Sequence, residues 1–175
     1  MLFTCFFPFA TCEAQTDVDN SPVKIEDLDR YLGRWYEIAR FDHSFERGQT
    51  NTSAFYALND DGSLMVKNTG IKNGKQKQSI GKAKLTDVSG LMRVSFFWPF
   101  YSDYRVLMLA ADYSYALIGG KSDKYLWILA RTPNLKQEVV SKILKEAKRR
   151  KYNTSNLIWV NQADNIARLR KIGIN

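Results

Sequence analysis

The chain has 175 residues, 45% of them apolar, with ten Phe, nine Tyr, four Trp and only four Pro, so it can bury a full single-domain core and is not a disordered chain. Its formal charge is +8, from 26 basic and 18 acidic residues, yet no stretch interleaves basic residues with stacking aromatics, which argues against a single-strand nucleic-acid groove. Both cysteines, Cys5 and Cys12, lie close to the start, which leaves the body without a disulfide or a Cys-based metal site.

Met1 to Cys12 is apolar but too short to span a bilayer. It reads as the hydrophobic part of a secretory signal covering residues 1–14, although the usual positive start is missing. Two exits stay open. Cleavage after Ala14 would use the small-residue site Cys12-Glu13-Ala14. Alternatively Phe9-Ala10-Thr11-Cys12 is a lipoprotein box, with Phe and Thr where Leu and a smaller residue are preferred, and Cys12 becomes lipidated. Residues 15–24 read as a polar linker.

Ile25 to Leu32 has apolar residues at three- and four-residue steps and predicts a helical turn, stopped by Gly33. From there the period changes to two. The predicted strands are Gly33 to Phe41, Thr52 to Leu58, Ser63 to Ile71, Gln76 to Leu85, Leu91 to Trp98, Tyr104 to Ala111, Tyr115 to Gly119 and Tyr125 to Arg131. Turn signals separate them, Asn59-Asp60-Asp61-Gly62 being the strongest. Eight consecutive strands with hairpin-length links predict an all-β, up-and-down antiparallel sheet, long enough to close a barrel around one small ligand. Thr132-Pro133-Asn134 then starts a helix, capped by Asn134 or Thr132, with Leu135, Val139, Val140, Ile143, Leu144 and Ala147 on one face. Lys148-Arg149-Arg150-Lys151 reads as its wet, frayed end. Leu157 to Val160 is a closing strand or an extended tail.

Little here suggests catalysis. His43 is the single histidine and reads as a surface loop residue. With no second His and no Cys in the body, a transition-metal site is not expected. No Gly-rich phosphate loop appears, and Gly119-Gly120 is a tight strand end. Glu37 and Asp112 are far apart, and nothing pairs them as acid and base.

Tyr31-Leu32-Gly33-Arg34-Trp35-Tyr36-Glu37 resembles the opening of the lipocalins, with Gly-x-Trp after a short helical turn. Asp112-Tyr113-Ser114-Tyr115-Ala116 and Leu126-Trp127-Ile128-Leu129-Ala130-Arg131-Thr132-Pro133 are similar to the family's second and third blocks, in order and spacing. The likeness extends to the bacterial lipocalin and apolipoprotein D subgroup through Phe41 to Gly48, Val94 to Phe97, Pro99 to Tyr101 and Ile158 to Val160.

This resemblance implies an eight-stranded lipocalin barrel over residues 25–162, a helix outside it and a C-terminal tail at 163–175. It also implies a structural plug of Gly33, Trp35 and Arg131 at the closed end. With Arg131 inward, strand parity turns Leu129, Trp127 and Tyr125 inward too. The expected ligand-binding residues are Tyr56, Tyr104, Met108, Tyr115, Tyr125 and Trp127, with Val106 and Ala110 inward on the sixth strand. The implied ligand is a fatty acid, lysophospholipid or similar apolar molecule. The protein is expected to be a monomer or weak homodimer of the cell envelope, periplasmic or attached to the outer membrane. No enzyme activity, cofactor, metal or nucleic acid is expected. The rival readings are an enzyme on a lipocalin-like barrel and an envelope interaction module using the basic helix.

Overall fold

The computed structural model describes residues 18–174, so the leader, its Ala14 exit and Cys12 lie outside the described residues. A short helix, α1 (Leu28–Tyr31), opens the domain, its first turn capped by the Asp27 carboxylate, which accepts from the Arg30 amide. Eight strands follow: β1 (Gly33–Arg40), β2 (Thr50–Leu58), β3 (Leu64–Lys72), β4 (Lys75–Leu85), β5 (Leu91–Phe97), β6 (Phe100–Leu109), β7 (Tyr115–Gly119) and β8 (Leu126–Ala130). Each pairs antiparallel with the next, and β1 pairs with both β8 and β2, which closes the barrel. The largest boundary difference is β6, which starts at Phe100 because Trp98 and Pro99 alone form the turn between paired Phe97 and Phe100.

Closure sorts every strand into two faces. Trp35, Tyr56, Leu64, Val66, Ala83, Met92, Val106, Ala116, Ile118 and Leu129 form the inner core. On the outer face Tyr36, Ile38, Leu107, Leu117, Leu126, Ile128 and Ala130 pack against Ile143 and Ala147 of α2 (Gln137–Arg149). That second layer explains why β7 is buried on both faces. The cap of α2 differs from expectation. Lys136 holds the cap position without a side-chain bond, and Thr132 instead donates to the Asn134 carbonyl to close the preceding turn.

Three segments read from sequence as peripheral are tied down. Residues 18–25 run along the barrel wall: the Asp19 amide donates to the Arg150 carbonyl, that of Val23 to Val106, and that of Ile25 to the Ser89 hydroxyl. Gly90 permits this approach, since a Cβ there would fall 1.9 Å from the Val23 carbonyl oxygen. Arg150, expected to be wet, is 4% exposed; it donates to Glu146 and to the carbonyls of Asp19 and Ser21. The segment Leu157 to Val160 holds β9 (Ile158–Trp159), paired with β1 at Ala39 and Arg40, and the C-terminal tail forms a helix, α3 (Ala163–Lys171). Where β1 and β2 diverge above Tyr36, the Gln162 amide donates to the carbonyls of Glu37 and Thr52. Those carbonyls would otherwise lack ladder partners.

Candidate functional site

Strand alternation puts the loops 41–49, 72–75, 97–100 and 120–125 at one end of the barrel and the turns 59–63, 86–90 and 110–114 at the other. The second end is closed by α1. Gly33 turns the chain from α1 into β1 at φ +88°, a conformation that disfavours any side chain. Trp35 then lies fully buried across the barrel floor, and its indole donates to the Tyr31 carbonyl at 2.8 Å. The Arg131 guanidinium stacks 3.9 Å over the indole and donates to the carbonyls of Arg30, Tyr31, Tyr113 and Arg34. A cation over an aromatic face in such surroundings contributes about 0.5–2 kcal/mol.

Above this floor stand three tyrosines. The Tyr31 and Tyr104 hydroxyls share a hydrogen bond of 2.6 Å, and the Tyr56 hydroxyl donates to Tyr104 at 3.1 Å. Burial pushes the phenol of Tyr104 well above its usual range and raises that of Tyr56, so all three stay neutral. Below them the lumen is filled: Leu64, Val66, Met92 and Val106 are buried almost completely. Toward the open end the inner core is bordered by Ala54, Val94, Phe96, Tyr104 and Trp127, which keep partial exposure inside a closed barrel. Phe96 can lie flat because Gly81 faces it; a Cβ there would come within 2.7 Å of the ring.

At the mouth, loop 41–49 folds over the lumen and carries an ionisable cluster. The Arg40 Nη1 donates to the Glu37 carboxylate at 2.6 Å, and its Nη2 donates to the carbonyls of Glu46 and Gln49. Burial first, then the nearby Glu46 carboxylate, push the Glu37 carboxyl up to about 8 despite Arg40. The Trp127 indole donates to Glu46 at 3.2 Å, fastening the loop to β8. His43 is 7% exposed and not a surface residue: its ring stacks on Phe45 at 3.9 Å and lies 5.1 Å from Trp127. Its Nε2 is 3.1 Å from Glu46 but without a well-directed bond, and Arg40 Nε is buried without a partner.

The predicted site residues thus fall into two groups. Tyr56, Tyr104 and Trp127 belong to the inner core or its border, and Tyr125 stacks on Trp127 at the rim, 38% exposed. Met108, Ala110 and Tyr115 do not face the lumen. A bulge between Val106 and Met108 shifts the parity of β6, so Leu109 turns inward while Met108 and Ala110 pack outside. Met108 lines a groove of about 450 Å³ between residues 23–30, β6 and α2. Tyr115 lies on the α2 side because Ala116 and Ile118 take the inner face of β7; Lys142 sits 5.9 Å over its ring. A second bulge, between Glu37 and Ala39, turns Arg40 inward beside Glu37. Sequence reading missed Arg40, Glu46, Val94 and Phe96. The period-two spacing of Met92, Val94 and Phe96 on β5 signals the last two, whereas nothing in the sequence marks the bulges of β1 and β6. Among the described residues no group of three or more His, Cys, Asp or Glu could hold a metal, and no helix is long and apolar enough to cross a membrane.

The lipocalin-like domain family matches residues 26–162. The chain is 48% identical over 140 residues to the outer membrane lipoprotein Blc of Escherichia coli strain K12, covering 78% of this chain and 79% of that protein. It is 35% identical over 126 residues to apolipoprotein D of Mus musculus, covering 66% of each. Among solved structures, insecticyanin of the tobacco hornworm Manduca sexta superposes with a TM-score of 0.68 at 23% identity, over 82% of this chain and 84% of that one, and shows the same fold. With the closed barrel, the Gly33-x-Trp35 floor and its stacked arginine in place, these matches identify the chain as a member of the lipocalin family, in the group of the bacterial lipoproteins and apolipoprotein D.

Proposed function

We propose that this lipocalin carries one fatty acid, lysophospholipid or similar single-chain lipid in the upper half of its barrel, and that it does no chemistry on it. The observation that carries this reading is the burial gradient: the lumen is packed below Tyr56 and Tyr104 but bordered by partly accessible Ala54, Val94, Phe96 and Trp127 above them. An acyl chain placed there gains about 0.8 kcal/mol per methylene removed from water. The relatives named outer membrane lipoproteins support an envelope location for this chain, with Cys12 as the attachment point or Ala14 as the last residue removed. Of the expected contacts, Tyr56, Tyr104, Trp127 and Tyr125 remain, in order from floor to rim, while Met108 and Tyr115 are set aside.

Titration with a long-chain fatty acid, free of vesicles, is expected to change tryptophan emission saturably at about one ligand per barrel. Trp127→Ala should weaken binding by about 1–3 kcal/mol in an independent competition assay, as for one lost large apolar contact. Ala54→Phe, which adds a ring above Tyr56, should compete with the ligand for space while the fold survives. Unchanged affinity in both variants would place the ligand elsewhere and sink the reading.

A further inference from the structure

The outside of the open rim has an unusual surface. In the β5–β6 hairpin Phe97, Trp98 and Phe100 are 82%, 84% and 77% exposed, as nearly bare as aromatic side chains can be in a folded chain. The other rim loops add Phe45 and Tyr125. Burying such rings yields a large gain, so leaving them in water marks a surface built to be covered.

The charge around them indicates what covers it. Lys72, Lys75, Lys121 and Lys124 stand on the same rim and make no ion pair among the described residues. The acidic residues of those loops do not offset them: Asp42 is bridged to Arg47, Glu46 is buried, and Asp123 remains. The turns of the closed end carry Asp60, Asp61, Asp87 and Asp112 and neither Lys nor Arg, and among the described residues only Asp61 of these is ion-paired, to Lys82 on β4. Aromatic rings that prefer the headgroup boundary, set among cations, match the interface of an anionic bilayer. The described chain also begins on this side, where the Asn20 amide donates to the Lys121 carbonyl at 2.8 Å.

We propose that the open rim is a docking surface for an anionic phospholipid bilayer: Phe97, Trp98 and Phe100 enter the headgroup–acyl boundary, and Lys72, Lys75, Lys121 and Lys124 lie on its phosphates. The mouth then faces the membrane, and a single-chain lipid passes between leaflet and lumen without crossing water. The docking claim concerns the outer surface and holds whether or not the lumen carries lipid.

The test uses the full chain with phosphatidylcholine vesicles, with and without phosphatidylglycerol, read by co-sedimentation. Replacing Phe97, Trp98 and Phe100 together by Ser should weaken partitioning roughly tenfold or more. Charge reversal of the four lysines to Glu should remove the preference for phosphatidylglycerol and its salt sensitivity. Trp98→Phe should still sediment yet lose most of the quenching by acyl-brominated phosphatidylcholine. Undiminished sedimentation of the Ser variant would overturn the proposal and assign the contact to the N-terminal segment or another face. Failure of the wild type to bind either vesicle overturns it outright. Fatty-acid titration of the same Ser variant without vesicles separates the two readings, since it should bind as wild type does.

Discussion

The two ends of the barrel are built on the same strands to opposite rules. At the closed end Tyr31 and Trp35 are fully buried, every polar atom named there has a partner, and the turns outside are acidic. At the open end aromatic rings reach solvent, four lysines with no ion pair among the described residues stand on the loops, and Arg40 Nε and both ring nitrogens of His43 are buried without a hydrogen bond. The exposed aliphatics Leu58, Leu85 and Val88 lie toward the closed end, but each is close to Asp60 or Asp87 and none forms an aromatic cluster. Stability is concentrated where the chain is satisfied, and the proposed lipid chamber opens where it is not. An unsatisfied polar atom in a buried site costs free energy, so a cluster of them at a mouth is informative.

The sharpest way to break this comparison is at the floor. Trp35→Ala should lower unfolding free energy by about 3–5 kcal/mol, the range for large aromatic truncations. Arg131→Ala should cost less, and the double variant less than the two singles summed, because each loses the same stacking contact. Strict additivity in a denaturant-unfolding cycle would contradict the 3.9 Å contact.

A smaller effect belongs to the open end. The Glu37 carboxyl is held near 8 in the fold against an ordinary 4.5, by burial and then by Glu46. Below pH 4.5 it is protonated folded and unfolded alike. Between there and pH 8 the folded chain keeps a proton that the unfolded chain releases, so stability falls as pH rises, then levels off. Glu37→Gln should remove that fall, gaining about 1–3 kcal/mol on wild type from pH 5 to pH 8. A variant that is instead destabilised by about 3–5 kcal/mol at pH 6 would mean that Glu37 is the ionised partner of Arg40.

Eight strands, the outer helix and the Trp35–Arg131 pairing were legible because they follow from strict alternation, turn residues and three family blocks. Lumen residues on regular strands followed parity, as with Trp127 and Leu129. Parity fails wherever a bulge inserts a residue, since one extra position exchanges the faces beyond it. That is why Met108 and Ala110 left the lumen and Arg40 entered it. His43 and Arg150 were misjudged for another reason. Their polar side chains suggested solvent, whereas burial depends on a partner far along the chain or across a loop, which local composition does not encode: Trp127 against His43, residues 18–21 against Arg150.

The smallest effect falls at the boundary between the two ends, on Tyr104. Its hydroxyl points to Tyr31 and Tyr56, so it belongs to the floor, while its ring edges the chamber above. Tyr104→Phe keeps the ring and deletes both hydrogen bonds, leaving two phenols to find new partners. We expect about 1 kcal/mol of lost stability. Affinity for an acyl chain should stay within about 0.5 kcal/mol, because a chain gains from the ring and not from the hydroxyl. The checks are a denaturant midpoint and the same fatty-acid titration, run on one preparation. A large loss of affinity with unchanged stability would show that the hydroxyl faces the ligand, and would move the border of the chamber down past Tyr104 toward Trp35.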